Sequence, residues 1–238
     1  MISTPRPGTS WREAIRVYRH PRVIAMLFLG FSAGLPFLLV FSTLTAWLRD
    51  VGVDVAAIGF FSWIGIMYSI KVLWAPVVDR IPLPPLTTWF GKRRGWMLAA
   101  QLIIMLGLAL MAYTDPTGNL WLMAGVALLV AFGSATQDIS LDAYRIEAVA
   151  DELQPAMAST YQLGYRLAII TSGAGALYIA DYASWQVAYT IMAALMGIGI
   201  MATLITREPE HFVEPFTAER EARVVDFIKR RAHWPHWL

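Results

Sequence analysis

The 238-residue chain is 57% apolar and only 15% charged, whereas a water-soluble domain carries about 25% charged residues. Its mean hydropathy of +0.52 excludes a wholly water-facing surface. A net charge of +2, with basic residues not interleaved for phosphate tracking, argues against nucleic acid as a partner, and the lack of cysteine rules out disulfides and thiolate metal sites. The four histidines (His20, His211, His233, His236) lie in polar segments. The pair His233 and His236 reads as incidental, so neither a metal nor a cofactor is expected.

Residues 1–22 form a polar amino-terminal segment with five arginines and no apolar core, unlike a cleaved secretory signal. Within it, Ser10-Trp11-Arg12-Glu13 has capping-box spacing and opens a short basic amphipathic stretch ended by Pro21. Crossing the hydrocarbon of a bilayer takes about 20 predominantly apolar residues. Such runs fall near 23–48, 56–79, 95–113, 120–144, 156–180 and 184–206. The predicted fold is therefore an all-α membrane protein with a six-helix transmembrane bundle over 23–206. The first, second and fifth runs contain Gly or Pro (Gly30, Gly34, Pro36, Gly65 and Pro76 among them), which close helix packing in a membrane accommodates. Residues 207–238 read as a cytoplasmic tail or a linker, in which Thr217 is positioned to cap a helix with Ala222, Val225, Ile228 and Ala232 on one stripe.

Lysines and arginines fix the expected orientation. Sixteen of the 19 lie in the amino-terminal segment, the 79–94 and 145–155 loops and the tail, while the segments on the other side contribute only Arg49. Both termini are thus expected in the cytoplasm of a multi-pass protein of the bacterial inner membrane, with membrane lipid as its surroundings. The remaining two, Lys71 and Arg166, fall inside spans.

Charges inside spans cost roughly 2.5–3.5 kcal/mol each on insertion scales and mark functional positions. Here they are Lys71 in the second span, Asp138 and Asp142 in the fourth and Arg166 in the fifth. At about 1.5 Å per residue, Lys71, Asp138 and Arg166 each lie on the order of 10–17 Å from the cytoplasmic ends of their runs. Asp138 and Asp142 share a helix face, which Arg145 extends; Gln162 and Arg166 share another, with Tyr161 and Tyr165 beside them. Matched depth and opposite sign predict a polar cluster along a water-filled path, drawn from Asp138, Asp142, Arg166, Lys71, Gln137, Gln162 and Tyr165. The alternative is a static lock in which Asp138 and Arg166 neutralise one another.

In the loop after the second span, Asp79-Arg80 closes one helix and Gly91-Lys92-Arg93-Arg94-Gly95 opens the next. This resembles the signature between the second and third helices of the major facilitator superfamily. It departs in a proline-rich insert (Pro82, Pro84, Pro85) and in Ala75 or Pro76 where a glycine is usual. Plain positive-inside anchoring is the simpler account of Lys92–Arg94 alone. The segments Gly30-Phe31-Ser32-Ala33-Gly34-Leu35-Pro36, Lys71-Val72-Leu73-Trp74-Ala75-Pro76, Gln137-Asp138-Ile139, Asp142-Ala143-Tyr144-Arg145, Gly164-Tyr165-Arg166 and Ser184-Trp185, in this order, resemble the AmpG muropeptide permease family of that superfamily. The resemblance implies a 3+3 inverted-repeat bundle and proton-driven import of anhydro-muropeptides, products of peptidoglycan turnover, with acetyl-CoA the cargo of a related branch. That family has about twelve membrane helices, so the chain reads as the amino-terminal half, and a second six-helix half is the expected partner.

Two other classes of function remain: a non-transporting or regulatory membrane protein, and a membrane-embedded enzyme. The enzyme is disfavoured because no span carries a His-Glu-x-x-His pair, a Gly-x-Ser-x-Gly elbow or a nucleotide-binding loop, so no catalytic residue is assigned.

Overall fold

A computed structural model describes residues 17–209. The capping box at 10–13, the stripe after Thr217 and the His233/His236 pair lie outside the described residues. Within them the chain is helical, with no strand, and six helices are long and apolar enough to cross a membrane: α1 (Pro21–Asp50), α2 (Val55–Leu73), α3 (Lys92–Tyr113), α4 (Leu120–Ala148), α5 (Asp151–Tyr182) and α6 (Trp185–Ile205). These match the six apolar runs, with ends shifted by a few residues.

Caps and breakers in the sequence set the helix limits. His20 caps α1, its Nδ1 accepting from the Arg22 amide, and Pro21 occupies the first turn, where no amide donor is needed. Asp54, Asn119 and Ser184 cap α2, α4 and α6 through their side-chain oxygens. Between α3 and α4, the carboxylate of Asp115 accepts from the amide and hydroxyl of Thr117, which holds it below the usual carboxylate range. Interior breaks are equally local. α1 bends at Phe41, five residues after Pro36. α2 tightens to 3₁₀ geometry at Ser62–Gly65 and Lys71–Leu73, ahead of a short helix, Ala75–Arg80, that carries Pro76 in its first turn. α5 widens to a π turn at Thr171–Gly175, where the Ser172 carbonyl accepts from the Thr43 hydroxyl of α1 at 2.8 Å.

Glycine permits the main contact of the bundle, α1 against α5. A Cβ on Gly30 would collide with the Tyr161 carbonyl, and one on Gly164 with the Leu27 carbonyl, so the two backbones touch directly. The other principal contacts pair α4 with α2, α3 with both α4 and α6, α1 with both α6 and α4, and α5 with α6. Exchanging α1 for α4, α2 for α5 and α3 for α6 maps this set onto itself except for the α5–α6 contact, which has no α2–α3 equivalent. Since α1 and α4 cross in opposite directions, the packing is that of two inverted three-helix repeats.

Burial is uneven. Of the apolar windows, 61% is buried in α1 and 56% in α3 and α4, against 17% in α2 and 28% in α5. The two least covered helices flank one open face, and the in-span charges Lys71 and Arg166 are carried on them.

At the end of the bundle holding the 50–54 and 183–184 connections, Trp47 stacks on Trp185 with ring centroids 5.9 Å apart, and Trp185 donates to Asp50 at 2.7 Å. Amphipathic aromatic groups of this kind suit the boundary between hydrocarbon and water.

Candidate functional site

The in-span charges converge, with a different pairing from the one that depth alone suggests. The Lys71 ammonium lies 3.6 Å from the Asp138 carboxylate; the side chains are 35% and 21% exposed. Arg166 is exposed and makes no ion pair among the described residues. Direction around the helix decides this. α5 turns Tyr161, Gly164 and Ala168 toward α1, which leaves Gln162 and Arg166 on its uncovered side. α2 packs against α4 instead and brings Lys71 to Asp138. The interruption at Lys71–Leu73 places the lysine on a short 3₁₀ turn rather than a rigid α-helix.

Asp138 uses one oxygen for Lys71, while Oδ1 is buried without a hydrogen-bond partner. The Tyr68 hydroxyl of α2 is also buried and without a hydrogen-bond partner, and its ring is held edge-on by Phe37 at 5.9 Å. Tyr161 and Tyr165 lie one turn apart on α5, with ring centroids 6.0 Å from one another. Asp142, one turn further along α4, is exposed and pairs with Arg145 at 3.5 Å; Arg145 in turn lies over the Tyr161 ring. A buried acceptor and a buried hydroxyl without partners, on adjoining membrane spans, can hold a proton or a polar ligand. Tyr68 and Phe37 were not marked by the sequence, because an aromatic residue in an apolar run reads as core.

Gln137 is on a different face from its neighbour Asp138. It is fully buried and donates to Ser32 at 2.8 Å, in a network where Thr203 donates to Gln101 at 3.0 Å and Gln101 approaches Ser32 at 3.5 Å. This cluster joins α1, α3, α4 and α6 away from the open face.

The loop motif forms a second constellation. Arg93, buried, lies 2.6 Å from Asp79 and 2.6 Å from Glu147, with its Nε also donating to Glu147. Glu208 accepts from the amides of Arg93 and Arg94 at 2.7 and 3.1 Å, so a carboxylate caps the positive end of α3. Gly91 has φ +91°, and a Cβ there would meet that carboxylate. Arg94 donates to the carbonyls of Thr203 and Leu204, and Lys92 to that of Asp79. Arg80 is exposed. The basic run is thus a clasp joining α2, α3, α4 and the end of α6, more than a membrane anchor. Glu147 and Glu208, which complete it, lie outside the loop pattern and carry no sequence signal of their own.

Residues 72–237 match the Major Facilitator Superfamily. The anhydromuropeptide permease of Escherichia coli is 40% identical over 93% of this chain and 45% of its own length. A Rickettsia felis protein named for the AmpG transporters (AmpG 4) is 32% identical over 82% of this chain and 47% of its own. An uncharacterised Haemophilus influenzae protein is 35% identical over 79% and 44% respectively. The chain spans about half the length of the curated relatives it matches.

Proposed function

This chain belongs to the major facilitator superfamily, and from that premise we propose that it supplies six helices of a proton-coupled carrier importing anhydromuropeptides across the bacterial inner membrane. In this reading it is a carrier and not an enzyme, and both termini face the cytoplasm. A second six-helix unit, on the same polypeptide or another, covers the open face between α2 and α5. The greater length of the relatives and the low burial of those two helices support that cover. The substrate follows from the relative named for it.

The observation that carries the mechanism is the Lys71–Asp138 pair with its unpartnered Oδ1. Protonation at Oδ1 neutralises Asp138 and releases the Lys71 ammonium. A peptide-bearing substrate has a terminal carboxylate, and the released ammonium is its counter-ion. Substrate bound to Lys71 thereby favours protonated Asp138, and a proton on Asp138 favours substrate, which is the reciprocity that symport requires. Arg166 and Gln162, on the uncovered side of α5, extend the polar lining toward the covering unit.

The test is uptake of labelled anhydromuropeptide into vesicles holding the chain with the unit that completes it, with and without an inward proton gradient. Asp138→Asn is expected to abolish gradient-driven accumulation while exchange continues, and Lys71→Gln to reduce both. Gradient-driven accumulation by Asp138→Asn, or its return in the Asp138→Asn/Lys71→Gln double variant, would reduce the pair to a structural lock.

A further inference from the structure

Where α1 begins and α6 ends, the bundle forms a half-open cavity of about 430 Å³ whose lining includes His20, Pro21, Arg22, Ala25, Ile205 and Arg207. Among the described residues no acidic side chain lines it, and Thr206, which also borders it, has its hydroxyl proton turned to the Ala202 carbonyl. The remaining polar side chains, His20, Arg22 and Arg207, bring donors. The His20 Nδ1 accepts from the Arg22 amide, which puts the proton of the neutral ring on Nε2. Arg22 is tethered to the Ala148 carbonyl through one guanidinium nitrogen, leaving its other N–H groups to a ligand. Arg207 is held through its own carbonyl, which accepts from the buried Tyr144, so its guanidinium is not needed for packing. One tethered cation, a second free to turn toward it and a ring N–H together recognise an oxyanion.

The remaining lining separates a lipid from a soluble anion. Pro21, Ala25 and Ile205 belong to the first and last turns of membrane-spanning helices and give the cavity an apolar wall continuous with the span. A phospholipid presents the same sequence of chemistry: a phosphate at the surface, then glycerol, then hydrocarbon. Basic pockets between helices at this depth suit anionic headgroups. We propose that this cavity binds the headgroup phosphate of an anionic phospholipid, clamped between Arg22 and Arg207. The proposal does not depend on which substrate the carrier moves.

The experiment is native mass spectrometry of the purified full chain, titrated with phosphatidylglycerol, with phosphatidylcholine of the same acyl chains, and with phosphatidylglycerol in the presence of excess glycerol phosphate. Phosphatidylglycerol is expected to be retained in preference to phosphatidylcholine, and glycerol phosphate to leave it in place. Arg22→Gln/Arg207→Gln is expected to lower retention by roughly thirty-fold, the effect of two basic residues near an anionic headgroup. Arg49→Gln, at the opposite end, removes a charge without touching the cavity and should retain lipid like the unmodified chain. Ala25→Trp keeps every charge and fills the cavity, and it too should lose the lipid. Because Arg22 also holds Ala148, Arg207→Gln alone supplies a variant in which no packing contact is cut, and it should show a part of the loss. Full retention in Ala25→Trp would reduce the effect to surface charge and overturn the site. Displacement by glycerol phosphate would make it a soluble-anion site, and equal retention of the two lipids would remove the case for an anionic ligand.

Discussion

Arg93 is the residue on which the clasp between α2, α3 and α4 turns, and replacing it with methionine separates the contributions of its two partners. Its side chain is 10% exposed, that of Glu147 22% and that of Asp79 46%. Removing one member of a buried ion pair costs about 3–5 kcal/mol, because the other charge is left without compensation, while an exposed pair contributes about 1 kcal/mol or less. Glu147, bonded through Nε and one terminal nitrogen, therefore carries most of the effect. Arg93→Met is expected to destabilise the chain by about 3 kcal/mol and Asp79→Asn by about 1 kcal/mol or less. Arg93→Met/Glu147→Leu should recover about 2 kcal/mol relative to the single Arg93 change, since no charge then remains buried alone. Dodecyl sulfate unfolding of the purified chain in mixed micelles, followed by far-ultraviolet circular dichroism, gives all three values. If Asp79→Asn costs as much as Arg93→Met, or the double variant recovers nothing, the clasp is not organised around the Arg93–Glu147 bond.

Gly164→Val should disrupt the α1–α5 contact, because its Cβ falls on the Leu27 carbonyl, at a cost of at least about 1–3 kcal/mol in the same titration. Gly125→Ala, where the added carbon meets open space within a helix, should be neutral or stabilising by about 0.5–1 kcal/mol, and equal losses at the two positions would refute the backbone-contact argument. Gln137→Leu removes the donor to Ser32 in a fully buried network and should cost about 1–3 kcal/mol of stability. Unchanged unfolding of that variant, combined with lost uptake, would return Gln137 to the transport path.

How much of this was legible in the sequence differs between helices and sites. The six spans and their order followed from apolar run length, since a bilayer imposes one length on every crossing helix. The placement of Lys71 and Asp138 in spans was legible for the same reason. Their pairing was not. Depth along a helix can be counted from its end, but the facing of a residue in the bundle depends on which helix packs against which. For α5 that choice is made by Gly164 and Gly30 through a close approach that no polarity pattern announces. The clasp was half legible: Asp79 and the Gly91–Arg94 run stood out as a motif, whereas Glu147 and Glu208 come from distant segments and meet it only in the fold. Gln137 shows the opposite failure, since its adjacency to Asp138 in sequence puts it about 100° away around an α-helix.

The same geometry gives the two in-span cations different roles. Lys71 and Asp138 form a nearly neutral unit inside the six-helix bundle, so that pair needs nothing from outside to tolerate the membrane. Arg166 has no such compensation among the described residues. It lies fifteen residues into the 32-residue α5, on an exposed face of one of the two least buried helices. A guanidinium at that depth turned to lipid would cost roughly 2.5–3.5 kcal/mol on insertion scales, and the packing of Tyr161, Gly164 and Ala168 on α1 holds it on that side. The position is economical only if the exposed side of α5 faces water or protein rather than hydrocarbon. In the proposed carrier the open face between α2 and α5 therefore lines an aqueous cavity and not a lipid-facing surface, with Lys71–Asp138 as its internal charge pair and Arg166 as the charge it presents across the gap.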